Sequence, residues 1–258
     1  MKIDYCFHTH TYRCGHAYGE DTSYVLEALA EGIIELGFSD HVFLPGRIQP
    51  GIRGNFELLE EYISSINSLK KQFEKDINIH LGFECEYFPE YVEYYRDLKN
   101  KYGIEYLILG QHCFYDETGF HWYLYDNCPY ERIRQYTDDL IKGMETGLFA
   151  YVAHPDIFVT PYSSFNSECE ECARRICQVA EKLGVPLEIN LGMNVMYNNP
   201  VNLAYPNEDF WRIASEYNIE VYIGVDAHRP EAFHKVDYNK GLALVEKYHL
   251  KLLTRLKK

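Results

Sequence analysis

The chain has 258 residues, with 39 Asp+Glu against 25 Lys+Arg and a formal net charge of −14. Hydrophobic residues make up 47% of it, including 24 Tyr and 14 Phe, which is enough for a full core and argues against global disorder. The acidic balance disfavours a general nucleic-acid or anionic-membrane binder. The first residues lack the apolar stretch of a signal peptide, no apolar run approaches the about 18 residues of a membrane span, and eight scattered cysteines read as reduced cytoplasmic thiols.

Seven short apolar runs recur along the chain: Ile3–Phe7, Ile33–Phe38, Ile77–Phe83, Ile104–Leu109, Leu148–Ala153, Val185–Ile189 and Ile219–Val225. Each is rich in β-branched or aromatic residues and too short for a helix, so each reads as a buried strand. Helical patterns separate them, near residues 21–31, 55–73, 89–102, 129–146, 167–183, 207–217 and 230–248. Asn55 suits an N-cap, Pro129 and Pro230 suit first turns, and Gly147 and Gly184 suit helix ends. Seven strands alternating with seven helices predict parallel βαβ units, closed into a barrel or laid out as a doubly wound sheet. No linker interrupts them, so residues 1–258 read as one domain. Residues 42–54 and 114–128 are the longest irregular stretches, of the kind that shape an active site. Cys169 and Cys172 form a C-x-x-C, but within a helical pattern and without a partner motif, so no zinc site is assigned to them.

The residues that end the strands carry the chemical information. His8-Thr9-His10 follows the first strand, with His16 six residues on. Ser39-Asp40-His41 follows the second, Glu84 the third, Gln111-His112 the fourth, His154-Pro155-Asp156 the fifth, Asn190 the sixth and Asp226-Ala227-His228 the seventh. In parallel α/β folds the carboxyl ends of the strands open onto one face. Imidazoles and carboxylates gathered there would be costly without a cation, and they are the ligand set for Zn, Fe or Mn. His80, His121, His234 and His249 lie elsewhere and read as hydrogen-bonded loop residues.

The motifs HTH…H, SDH, GFE, GQH, HPD and DAH, in this order over residues 4–230, resemble the PHP (polymerase and histidinol phosphatase) superfamily. The opening HTHTYRCGHA…GFSDH is most similar to its stand-alone histidinol-phosphate phosphatases. The resemblance implies a distorted (β/α)7 TIM-like barrel with three divalent transition-metal ions. By motif, His8, His10, Glu84 and Asp226 would hold the first ion, and Glu84, His112 and His154 the second. His16, His41 and His228 would hold the third.

The expected reaction is hydrolysis of L-histidinol phosphate to L-histidinol and phosphate, by metal-activated hydroxide attacking phosphorus. The alternatives are another small phosphate ester (a sugar phosphate or nucleotide) and a metal-dependent amidohydrolase. Glu84 would act as bridging ligand, and Asp226 and His228 are placed to help the leaving group. A phosphate clamp favours Arg for its planar fork. Arg53 is the first candidate and Arg229 the second, ahead of Arg13 and Arg47. Asn190 is expected to touch substrate, and Asp156, Glu86 or Tyr18 to meet a substrate ammonium or imidazole.

Overall fold

The computed structural model describes residues 2–125, 128–192 and 203–257. Its main sheet has eight strands, all parallel. They are β1 (Tyr5–Cys6), β2 (Glu35–His41), β3 (Asn78–Cys85), β4 (Tyr106–Leu109), β7 (Tyr151–Val152), β8 (Leu187–Asn190), β9 (Glu220–Gly224) and β10 (Lys251–Leu252). β5 (Cys113–Asp116) and β6 (Gly119–Trp122) form a separate antiparallel hairpin. The main strands stand side by side in chain order, which a doubly wound sheet does not allow.

The sheet curls until the residues after β1 meet the residue Ala227 after β9. The His10 N–H donates to the Ala227 carbonyl at 2.9 Å and the Ala227 N–H to that of His8 at 3.1 Å. This closure lies only at the carboxyl ends. At the amino ends, β10 takes the free edge of β9 instead, and the Tyr5 hydroxyl accepts the Ile223 N–H at 3.1 Å. The distorted TIM-like barrel is therefore present, with an eighth short strand that the sequence pattern, read as seven, does not reveal.

The helices follow the predicted pattern with local differences. They are α1 (Asp21–Ala30), α2 (Leu59–Gln72), α3 (Val92–Lys101), α4 (Tyr130–Glu145), α5 (Ser167–Leu183), α6 (Glu208–Ala214), α7 (Ala232–Lys235) and α8 (Tyr238–Tyr248). Asn55 precedes a 3₁₀ turn (Phe56–Leu58) rather than α2 itself, and its side chain makes no capping bond. The predicted helix over 230–248 is two helices, because Val236 is extended and Asp237 restarts the helix by accepting the Asn239 N–H at 3.1 Å. α5 is capped by Asn166, which accepts from the Glu168 and Cys169 N–H groups, and it ends at the left-handed Gly184. Cys169 and Cys172 lie on its buried face, and all eight cysteines are unpaired. The expected irregular stretch 114–128 contains most of the β5–β6 hairpin, with 126–127 outside the described residues. Alternation is weak there because aromatic side chains occupy both faces.

Tyrosines fill the barrel below the strand ends. Tyr5, Phe7, Tyr151 and Tyr222 contact one another with ring centroids 5.0–6.2 Å apart. Tyr106 crosses the interior from β4, passing over Gly82 and Gly37, to donate its hydroxyl to the Phe7 carbonyl at 2.9 Å. A Cβ at either glycine would run into its ring or hydroxyl. Tyr106→Phe is expected to cost about 1 kcal/mol by losing one buried hydrogen bond, and Gly82→Ala about 1–3 kcal/mol by overpacking. Urea unfolding midpoints at unchanged m-value check both.

Candidate metal centre

The barrel closure brings the strand ends together. His8 and His10 follow β1, and His41 and Glu84 lie within the ends of β2 and β3. His112 and His154 follow β4 and β7, and Asp226 and His228 follow β9. His16 comes in on the loop after β1. Glu84 sits in the middle. Its Oε1 lies 2.9 Å from His154 Nε2, 3.5 Å from His8 Nε2 and 3.6 Å from His112 Nε2. Its Oε2 lies 3.2 Å from His41 Nδ1 and 3.5 Å from His10 Nε2. Asp226 Oδ1 is 3.1 Å from His10 Nε2 and 3.4 Å from His8 Nε2. His16 Nε2 and His228 Nε2 are 3.0 Å apart, as His112 Nε2 and His154 Nε2 are 3.2 Å apart. All nine expected ligand residues thus meet in one cluster.

The donor atoms fit a cation. His8 Nε2, both nitrogens of His10, His41 Nδ1 and Asp226 Oδ1 are buried without a hydrogen-bond partner. Unpaired buried polar atoms are rare and costly, and a shared ion satisfies them together. The sets His8–His10–Asp226, His8–Glu84–His154 and His10–His41–His228 each bring three ligand atoms within 4.8 Å of one another. Burial alone would raise the Glu84 carboxyl, yet His112, His8, His41 and His154 hold it well below the usual carboxylate range. Asp226 is likewise held low, against burial, by His8, His228 and His10.

A model described as "PHP domain" matches residues 7–192. The chain belongs to the PHP domain family. A probable histidinol-phosphatase of Deinococcus radiodurans is 27% identical over 235 residues, covering 86% of this chain and 85% of the relative. A histidinol-phosphatase of Bacillus subtilis is 24% identical over 257 residues, covering 86% of this chain and 92% of its own. The histidinol phosphate phosphatase of Lactococcus lactis, solved with zinc, L-histidinol and phosphate, superposes with a TM-score of 0.75 at 19% identity, covering 100% and 99% of the two chains. That last likeness shows the fold.

Around the cluster of this PHP domain lies a second layer of carboxylates. Glu188, buried on β8, receives His8 Nδ1 at 3.0 Å, the His154 N–H at 3.1 Å and the Asn190 amide at 2.8 Å. Gly224 on the neighbouring strand leaves it room. Glu86 pairs with His112 Nδ1 at 3.2 Å, and the Asp226 carbonyl lies 3.1 Å from His228 Nδ1. Each contact holds a proton on Nδ1 and points Nε2 inward, where its lone pair is free for a cation once any proton there has left. Asp40 accepts from the His41 N–H at 2.8 Å and from the Thr11 hydroxyl. Sequence reading missed Glu188 and Asp40 as supports. A carboxylate inside the otherwise apolar run Val185–Ile189 was the available signal. His154 and Asp226 have φ values of 31° and 52°, and such strain in non-glycine residues clusters at functional sites.

The expected substrate contacts fare less uniformly. Arg53 is not open to a phosphate: it is buried, and its guanidinium is taken up by Glu86 at 2.9 Å, Gln49 at 2.6 Å and the Val42 carbonyl at 3.1 Å. It supports Glu86 instead. Asn190 is buried too, its amide on Glu188 and its carbonyl on the Gly192 N–H, so it braces the cluster rather than reaching substrate. Arg13 is tied to Asp21 and Glu61, and Arg47 to Glu90. Arg229 differs. It stacks on Tyr18 and lines a cavity of about 390 Å³ with His16, Asp226, His228 and Lys235. Asp156 is buried against the Asn207 N–H and the Trp211 indole. Its carboxyl is pushed up to about 7 by burial, and Glu86 is occupied by Arg53 and His112, so neither faces a substrate. His80 lies within β3 and His121 within β6, so these two are strand residues rather than loop residues.

Two outcomes follow from this geometry. Glu188→Gln is expected to weaken metal retention about 10–100-fold, read by competition with a chromophoric chelator. The second concerns protons. Burial opposes the charged ring of His10, but Asp226, Asp40 and Glu84 raise it to about 9. His8 is also raised, by Glu188, Asp226 and Glu84. Both rings therefore carry protons at pH 7 in the metal-free protein, and loading must expel them. Apparent metal affinity should rise with pH up to about 9, with protons released. Calorimetry in buffers of different ionisation enthalpy measures this, and a buffer-independent heat would contradict it.

Proposed function

We propose that the chain is a metal-dependent phosphomonoesterase that hydrolyses L-histidinol phosphate to L-histidinol and phosphate in the cytoplasm, residues 1–258 forming one catalytic unit. The observation that carries this reading is the set of nine imidazole and carboxylate side chains meeting at the closed end of the barrel, beside a cavity lined by Arg229, which makes no salt bridge among the described residues. The names of its relatives point to the same ester. The unpaired cysteines suit a reducing compartment. No helix among the described residues is long and apolar enough to cross a membrane, and the formal charge of −14 disfavours a nucleic-acid partner.

We assign three divalent ions, Zn, Fe or Mn: one to His8, His10, Glu84 and Asp226, one to Glu84, His112 and His154, and one to His16, His41 and His228. When bound, they supply an activated water and neutralise charge on the phosphate oxygens. Arg229 binds the phosphate through its planar fork. His16, Asp226 and His228 line both the cavity beside Arg229 and a second one of about 350 Å³. An ester whose phosphate lies against these three shared residues would reach Arg229 on one side and leave its organic half in the second cavity. Asp226, ionised and partly open to the pocket, can take a proton from the attacking water and return it to the leaving alkoxide, so that ester and water give alcohol and phosphate. His228, its Nδ1 facing the Asp226 carbonyl, keeps its ring orientation through this transfer.

Steady-state rates on histidinol phosphate, sugar phosphates, nucleotides and phosphodiesters test the reading. Histidinol phosphate is expected to have the highest kcat/KM by at least tenfold, and a sugar phosphate or diester ahead of it would overturn the assignment. Arg229→Ala should raise KM about tenfold or more, whereas His10→Ala should abolish turnover with the far-UV circular dichroism unchanged.

A further inference from the structure

The cavity of about 350 Å³ has a mixed lining. Candidate ligands, including Glu84, His112 and His154, share its wall with Ile52, Trp122, Ile157 and Tyr205, without a lysine or arginine among the described residues. The cavity beside Arg229 and Lys235 shares His16, Asp226 and His228 with it. A phosphate ester held at these shared residues would turn its anionic half to the candidate ligands and Arg229, and its organic half to Ile52, Trp122, Ile157 and Tyr205.

Trp122 is the distinctive member of that wall. The chain has two tryptophans. Trp211 is fully buried and bonded to Asp156, whereas Trp122 is 47% exposed. An indole left half open at a pocket is unused contact surface. Its place is nonetheless well determined. Trp122 ends β6 opposite Cys113, the residue after His112. The next residue, Tyr123, donates its N–H to the His112 carbonyl at 3.1 Å, and its hydroxyl joins Gln111 at 3.2 Å and Asp139 at 2.7 Å. Phe120 meets the indole edge-on at 5.0 Å. The same short segment thus carries His112 and holds Trp122 at a set distance from it.

We propose that Trp122 is a specificity-determining residue, whose indole holds a planar heteroaromatic group, neutral or cationic, of the phosphoester's organic half. The assignment rests on the phosphoesterase reading and deepens it. Stacking and cation–π attraction favour an imidazole over a polyol at this position, and tryptophan is the strongest such platform. In histidinol phosphate the imidazole is the group that would lie there.

The test uses the metal-loaded full chain. L-Histidinol, which has no phosphate, should quench the exposed Trp122 emission in the wild type and leave Trp122→Phe, whose remaining tryptophan is buried, unquenched. In turnover, Trp122→Ala should lower the ratio of kcat/KM on histidinol phosphate to that on glycerol 3-phosphate about tenfold, through KM, and Trp122→Phe should keep most of the ratio. A structural defect would lower both rates and leave the ratio unchanged. Quenching that persists in Trp122→Phe, or an unchanged ratio in Trp122→Ala, overturns the assignment. If the wild type does not cleave histidinol phosphate, the proposed activity falls on its own. The ratio for phenyl phosphate over glycerol 3-phosphate then decides on Trp122 by the same criterion.

Discussion

Glu84 and Asp226 are carboxylates packed among imidazoles at the closed end of a barrel, and the architecture is arranged around that cost. Their oxygens lie 2.9–3.6 Å from six ring nitrogens. Such a concentration of lone pairs is expensive in a low-dielectric interior unless protons or cations compensate it. In the metal-free chain, protons on His8 and His10 do so. The outer carboxylates Glu188, Glu86 and Asp40 then set which face of each ring is free. Arg53 and Asn190, expected to meet the substrate, belong to this outer layer. They hold Glu86 and Glu188 still.

The barrel's distortion serves the same end. A full closure along β1 and β9 would need matching strand lengths, and β1 pairs with β2 over only two residues. The chain closes where the cluster sits, through the backbone of His8, His10 and Ala227, and lets β10 complete the sheet at the other end. The interior between is filled by tyrosines whose hydroxyls reach backbone groups of neighbouring strands, as with Tyr106 and Tyr5. Ten of the 24 tyrosines are buried among the described residues, and Tyr5, Tyr106, Tyr151 and Tyr222 belong to this interior.

A cavity with Arg229 and Lys235 and one with Ile52, Trp122, Ile157 and Tyr205 share His16, Asp226 and His228. That arrangement orients a molecule with one anionic end and one apolar or cationic end, and it reconciles an acidic chain with an anionic substrate. The negative charge is global, whereas the positive groups Arg229 and Lys235 are local to one cavity.

The seven strands, their parallel order and the convergence of nine ligand candidates were legible in the sequence, because buried parallel strands read as short apolar runs and their carboxyl ends share one face. The motif order carried the family. Other features needed the tertiary structure. β10 and the hairpin are too short or too uniformly aromatic to show a period. Arg53 and Arg229 look alike in sequence. One is buried against Glu86 and the other opens onto the cavity, and that difference is made by contacts 33 residues apart for the first and by packing against Tyr18 for the second. Glu188 reads as an ordinary strand residue until β8 sets it behind His8, 180 residues away. Local pattern determined which residues reach the strand ends. Long-range packing decided which of them face a ligand and which hold the others in place.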